Sequence, residues 1–158
     1  MGKGVFPRDG LWNAAVDYDF ECRYADGLVM RVASNNHCPQ GVRFIGEKGW
    51  VHITRGGLQT EPDDLRTTVI GPDEIHLARP KGDHRQGHRR DFLDCVKTRS
   101  QTVTPASIGH HSVIPAHLGN IAMILGRGIR WDPKAECTIG DEQANRMLDR
   151  PPRSPWHL

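Results

Sequence analysis

Several signatures are missing from this 158-residue sequence, and each absence removes a class of function. There is no Gly-x-Gly-x-x-Gly and no Gly-Lys-Ser/Thr, so neither glycine loop that turns backbone amides toward a phosphate is present. No Gly-x-Ser-x-Gly places a serine on a strained elbow, and no His-Glu-x-x-His sets two imidazoles on one helix face. The four cysteines, Cys22, Cys38, Cys95 and Cys137, never form a Cys-x-x-Cys pair. They read as free thiols in a reducing, cytoplasmic setting. No apolar run approaches the roughly 18 residues of a membrane helix, and no charged-then-apolar leader opens the chain. Gly2 suits a lipid-acceptor position, but the Ser or Thr that should follow is absent, with Pro7 just beyond. Charge of one sign is lacking too. The net charge is +2, with basic and acidic residues interleaved, which describes a mixed solvated surface and not a nucleic-acid footprint. The partners expected therefore include neither nucleic acid nor membrane.

What is present suits one domain. The chain is long enough to bury a core, and hydrophobic residues make up 37%, above the range of disordered chains. The stretch 105–133 organises it. Ile114, Leu118, Ile121, Ala122 and Leu125 fall at i, i+4, i+7, i+8 and i+11, one stripe of a buried helix. Pro105 suits its first turn, Pro115 predicts a kink, and Gly126 and Gly128 supply the stop. Trp131, fixed by Pro133, is placed to cover the helix end.

Upstream, residues 1–15 read as an irregular lead-in. Val16, Tyr18, Phe20, Cys22 and Tyr24 alternate with charged residues, the pattern of a half-buried strand. Asp26-Gly27 predicts a two-residue turn, with 28–33 returning as the partner strand. That turn length would set Leu28, Met30 and Val32 opposite Tyr24, so both faces of the hairpin would be apolar. A second hairpin is predicted from 41–46 and 50–54, around a three-residue loop ending in Gly49. Residues 55–58 either extend or break it. Pro62 can open a helical turn over 61–66, and 69–70 and 75–77 are short strand candidates. An amphipathic helix follows over 88–99, with Phe92, Leu93, Cys95 and Val96 toward the core. Beyond the long helix come an extended piece at 137–139, a helix over 142–148 capped by Asp141, and an extended tail over 150–158. The fold class expected is α+β, a mainly antiparallel sheet with helices packed on one face, in a single domain 1–158.

The nine histidines offer the obvious ligand candidates. His84 and His88 are four apart, and His110 and His117 are seven apart, with His111 alongside. A zinc site needs three or four ligands in register, and the sequence supplies no full set. No metal is expected. Asp63-Asp64 and Asp141-Glu142 read as helix starts, where negative charge is favourable.

The blocks at 41–50 (GVRFIGEKGW), 91–95 (DFLDC), 109–110 (GH), 117–122 (HLGNIA), 125–127 (LGR), 130–133 (RWDP) and 140–142 (GDE) together resemble the Gfo/Idh/MocA family. These are the relatives of glucose–fructose oxidoreductase and inositol dehydrogenase, and the bacterial-type members are the most similar. The closing RSPWHL resembles their C-terminus. The resemblance implies the later part of the family's C-terminal domain. In relatives that domain follows a Rossmann domain that binds NAD or NADP, shapes a sugar site and packs against another subunit. The family's Glu-Lys-Pro and Asp-x-x-x-His motifs have no counterpart here, so no catalytic and no cofactor-binding residue can be assigned. His88, His110 and His111 lie in matching blocks and are the substrate-binding candidates. The expectation is a substrate-side and oligomerisation domain without hydride transfer of its own, lacking the N-terminal Rossmann domain. It would form a homodimer or higher homo-oligomer through the sheet face. The alternative is a stand-alone sheet module that self-associates or binds a carbohydrate ligand.

Overall fold

The computed structural model of the chain describes residues 2–76, 87–150 and 152–155. The fold is α+β, with three antiparallel sheets and three helices among the described residues. It divides into two compact units, residues 1–39 with 111–158, and residues 40–110.

The first unit opens with the sheet β1 (Lys3–Val5), β2 (Asp17–Arg23) and β3 (Val29–Ala33), in the order β1-β2-β3. The turn between β2 and β3 differs from the sequence expectation. Tyr24 N donates to Leu28 O at 2.9 Å, which leaves Ala25, Asp26 and Gly27 as a three-residue loop. Gly27 takes φ +92°, open to glycine and costly for most residues. Asp26 Oδ1 accepts the Leu28 amide at 3.0 Å and closes the loop. The extra loop residue shifts the register by one, pairing Phe20 with Val32 and Cys22 with Met30. A slip of one residue inverts every side chain of a strand. Leu28, Met30 and Val32 therefore share one face with Phe20, Cys22 and Tyr24. The other face is charged, and there Arg31 Nε and Nη2 hold Asp19 at 2.9 and 2.6 Å. The hairpin has one apolar face, not two.

The second unit contains β4 (Val42–Gly46), β5 (Gly49–Thr54) and β6 (Gly57–Glu61). Both connections are two-residue turns, since Gly46 pairs with Gly49 and Thr54 with Gly57. The first is one residue shorter than expected, and residues 57–61 form a strand that the two glycines concealed. Register puts Val42, Phe44, Val51, Ile53 and Leu58 on one face. A 3-10 turn, Asp63–Thr67, follows Pro62. Residues 69–70 and 75–76 form no strand, and Leu77 lies outside the described residues, as does His84. Helix α1 (Gly87–Thr98) forms as predicted, but Phe92, Leu93 and Val96 are exposed, Phe92 at 60%. Within this chain its apolar stripe does not reach a core. Asp91 Oδ2 accepts the Val103 amide at 3.0 Å and fastens the loop after it.

Helix α2 (Ala106–Leu125) starts on Pro105, whose carbonyl accepts Ile108 N and Gly109 N, and runs through Pro115. The predicted stripe holds: Ile121 is buried, and Ile114, Leu118, Ala122 and Leu125 are half-buried. Gly119 lies on the Phe20 ring, so closely that a Cβ would collide with it. Among the described residues Phe20, Ile121 and Ala144 are the buried apolar ones, and the Phe20 ring against Gly119 places the core between the first sheet and α2. The helix ends as the glycines predicted. Arg127 N reaches Ala122 O and Gly126 N reaches Met123 O, the paired bonds of a Schellman cap with Gly126 at φ +66°. Then β7 (Trp131–Asp132) pairs with β8 (Cys137–Thr138), and Asp132 Oδ1 accepts Lys134 N and Ala135 N in the turn between them. Trp131 is half-buried. Helix α3 (Glu142–Asn145) is capped by Asp141 and stops three residues short of the expected end. Of the tail expected at 150–158, residues 151 and 156–158 lie outside the described set.

Candidate functional site

The substrate-binding candidates are all surface residues. His88 sits exposed in the first turn of α1. His110 and His111 are exposed neighbours on α2, and adjacent helix positions diverge by about 100° around the axis. His111 Nε2 stands 3.9 Å from Glu136 Oε1. Among the described residues, no group of three His, Cys, Asp or Glu side chains could hold a metal.

The polar clusters that the fold does assemble are organised around carboxylates. In the first unit Asp17 collects three donors from the loop after β3: the Ser34 hydroxyl, Asn36 Nδ2 at 3.2 Å and His37 Nε2 at 3.1 Å. The Ser34 bond, with the other two behind it, holds the Asp17 carboxyl below the usual range. Arg31 does the same for Asp19.

The second cluster lies at the end of α2. The Schellman cap turns Arg127 toward α3, where its guanidinium grips Asp141 by two prongs, Nε to Oδ2 at 3.1 Å and Nη2 to Oδ1 at 2.8 Å. The same carboxylate caps Ala144 N at 3.0 Å. Arg127 first, and the Ala144 amide after it, keep Asp141 ionised below the usual range. Behind it Thr138 Oγ1 donates to Asp141 O at 2.8 Å, and Asn145 both accepts from Thr138 N at 2.6 Å and donates to Thr138 O at 3.1 Å. This network joins the matched blocks at 125–127 and 140–142, and its chemistry is positional: each carboxylate oxygen already serves a structural donor.

The second unit holds a shallow concavity of about 530 Å³, lined by Gln40, Gly41, Ile53, Thr54, Arg55 and Gly56. Beside its wall His52 is buried, 7% exposed, with Nε2 3.1 Å from Gln40 O. A carbonyl only accepts, so Nε2 carries the proton and Nδ1 is left as a buried acceptor with no partner. Arg43, the cross-strand partner of His52, holds its guanidinium 4.7 Å over the Trp50 ring, a cation–π contact. Neither His52 nor Arg43 was among the residues singled out by sequence. The alternation of β5 carried the signal, for a histidine between Val51 and Ile53 is the polar member of a strand and takes the opposite face to both.

Fold and clusters together define an α+β domain of small antiparallel sheets whose helix termini are fastened by ion pairs. The chain belongs to the Gfo/Idh/MocA oxidoreductase family: residues 16–158 match the description "oxidoreductase family, C-terminal alpha/beta domain". No curated protein and no solved structure matches the chain.

Proposed function

We propose that this chain is the substrate-side and assembly domain of an NAD(P)-dependent sugar-type oxidoreductase, and that it transfers no hydride by itself. The observation that carries this is the match of residues 16–158 to an oxidoreductase-family C-terminal alpha/beta domain, which supports a role beside a separate cofactor-binding domain. NAD or NADP belongs to the full assembly. The residues here contribute a surface, on which His88, His110 and His111 are the first positions to test against a carbohydrate ligand. The free thiols of its cysteines fit a cytoplasmic setting.

Titrating NADH and NADPH against the chain and following nicotinamide fluorescence is expected to give no saturable change. Micromolar binding, or substrate-dependent NADH formation by the chain alone, would refute the reading. Saturation-transfer NMR with a panel of sugars and cyclitols checks the substrate side. A transfer signal that disappears in His110→Ala or His111→Ala would support it, and a panel in which no sugar receives transfer would count against it.

One observation favours a second reading, a self-associating sheet module without catalysis. Val42, Phe44, Ile53 and Leu58 form an exposed apolar face on β4–β6, with Phe44 61% exposed. Contiguous apolar faces on soluble chains mark places where another surface docks. In the oxidoreductase reading the same face serves homo-oligomer assembly.

A further inference from the structure

We propose that the outer edge of β4 is a pairing edge for a second copy of this chain, joined antiparallel through β4 into one continuous six-stranded sheet. The inference is independent of the oxidoreductase reading, because it uses only the sheet β4–β6.

The hydrogen-bonding direction of each β4 residue follows from the turn. Gly46 and Gly49 flank two residues, so they exchange both of their backbone bonds. Counting back by two, Phe44 and Val42 also face β5. Arg43 and Ile45 then point N–H and C=O away from the sheet. β4 is the end strand in the order β4-β5-β6, and every one of its residues is exposed. Among the described residues no backbone bond outside the ladders involves Arg43 or Ile45.

The other edge of the same sheet is treated differently. By the same parity Leu58 and Thr60 point outward from β6. Leu58 O accepts Arg66 Nη2 at 2.7 Å, and Thr60 Oγ1 donates to Asp63 O, so the 3-10 turn folds back over that edge. Covering by a turn is one of the ways proteins blunt an edge strand; a proline, a lysine or a bulge is another. β4 has none of these. Its one charge, Arg43, is drawn over Trp50. The first sheet ends in β3, but Met30, Val32 and Ala33 there are half-buried.

A two-fold axis at Phe44 matches what β4 presents. Arg43 of each copy falls opposite Ile45 of the other, and the outward donors and acceptors of both copies are all paired. Phe44 meets Phe44 of the second copy as a non-hydrogen-bonded pair, the closer kind, with Cα atoms about 4.5 Å apart. Cross-strand aromatic pairs are among the favourable ones. Glu47 lies two positions beyond Ile45, diagonal to Arg43 of the second copy, so charges are complementary at both ends of the seam. The apolar row of Val42 and Phe44 then runs on from one copy into the next.

Sedimentation equilibrium of the full chain over a wide concentration range tests this, with amide exchange alongside. The wild type is expected to reach twice 17.7 kDa, with slow exchange at Arg43 and Ile45 in the concentrated sample and fast exchange on dilution. Ile45→Pro removes only an outward donor and leaves the β4–β5 ladder intact. It is expected to be a monomer with an unchanged circular dichroism spectrum. Ile45→Lys gives the same answer should the proline variant fail to fold. A wild type that stays at 17.7 kDa overturns the proposal. So does an Ile45→Lys chain that associates as the wild type does, or an association lost in Ile53→Lys and kept in Ile45→Lys, which would put the interface on the sheet face.

Discussion

At Gly119 two residue-scale effects oppose each other. Alanine in place of glycine inside a helix gains about 1 kcal/mol from backbone entropy. Here the added methyl would occupy the space of the Phe20 ring, one of the few buried apolar groups. Overpacking of a filled site costs roughly 1–3 kcal/mol, so the clash outweighs the gain. Gly119→Ala is expected to lower the urea midpoint, and Gly119→Ala with Phe20→Leu to recover part of the loss. A variant as stable as the wild type would show that the ring moves aside freely. Asp141 carries a second residue-scale prediction. Its folded pKa is depressed by Arg127 and the Ala144 amide, so its contribution is complete above the ordinary carboxylate range, near pH 4, and is lost as pH falls through the folded value. Asp17, Asp19 and Asp132 shift in the same direction. The melting temperature should therefore hold from neutrality to about pH 5 and drop below about pH 4. Asp141→Asn is expected to start lower and fall less steeply. Parallel curves for the two proteins would show that the Arg127 grip contributes nothing.

Among the elements, those with long periodic patterns were legible in the sequence, and their joints were less so. The stripe from Ile114 to Leu125 gave α2, and the alternation from Val16 to Tyr24 gave β2, because each repeats its period over several residues. The loop before β3 was not legible, since Ala25 fits the end of a strand as readily as the start of a turn. Its loop bond, Tyr24 N to Leu28 O, is a tertiary choice, which puts the half-buried Met30 and Val32 on the same face as the buried Phe20. β6 was hidden by Gly56 and Gly57, which fit an extension of the strand as well as a break until the turn they make is seen. The candidate site was legible only as separate blocks: Arg127 and Asp141 each lay in one, Asp141 as a helix cap, and the side-chain bond between them appears only in three dimensions. The hairpin gives a direct test. Deleting Ala25 restores the two-residue turn and, with it, the inverted register. The variant is expected to expose Met30 and Val32, to bind a hydrophobic dye and to aggregate. A soluble variant with the wild-type melting curve would mean that β3 tolerates either face.

For the molecule as a whole, α1 and the β4–β6 face stand out among the described residues as apolar surfaces without cover, with Phe92 60% and Phe44 61% exposed. Under the assembly role proposed above, these are the surfaces on which a neighbour would dock. The segment that closes the chain is the contrasting case. The hydrogen bonds that join the Schellman cap to α3 are short in sequence, Arg127 to Gln143 spanning 16 residues, while the His111–Glu136 pair ties the segment farther back along α2. Short sequence separations make loop closure inexpensive in entropy, so such a segment forms quickly and independently of distant strands. The end of α2 with β7, β8 and α3 thus has the makings of a folding nucleus, a cooperative block that forms ahead of the longer-range strand pairings.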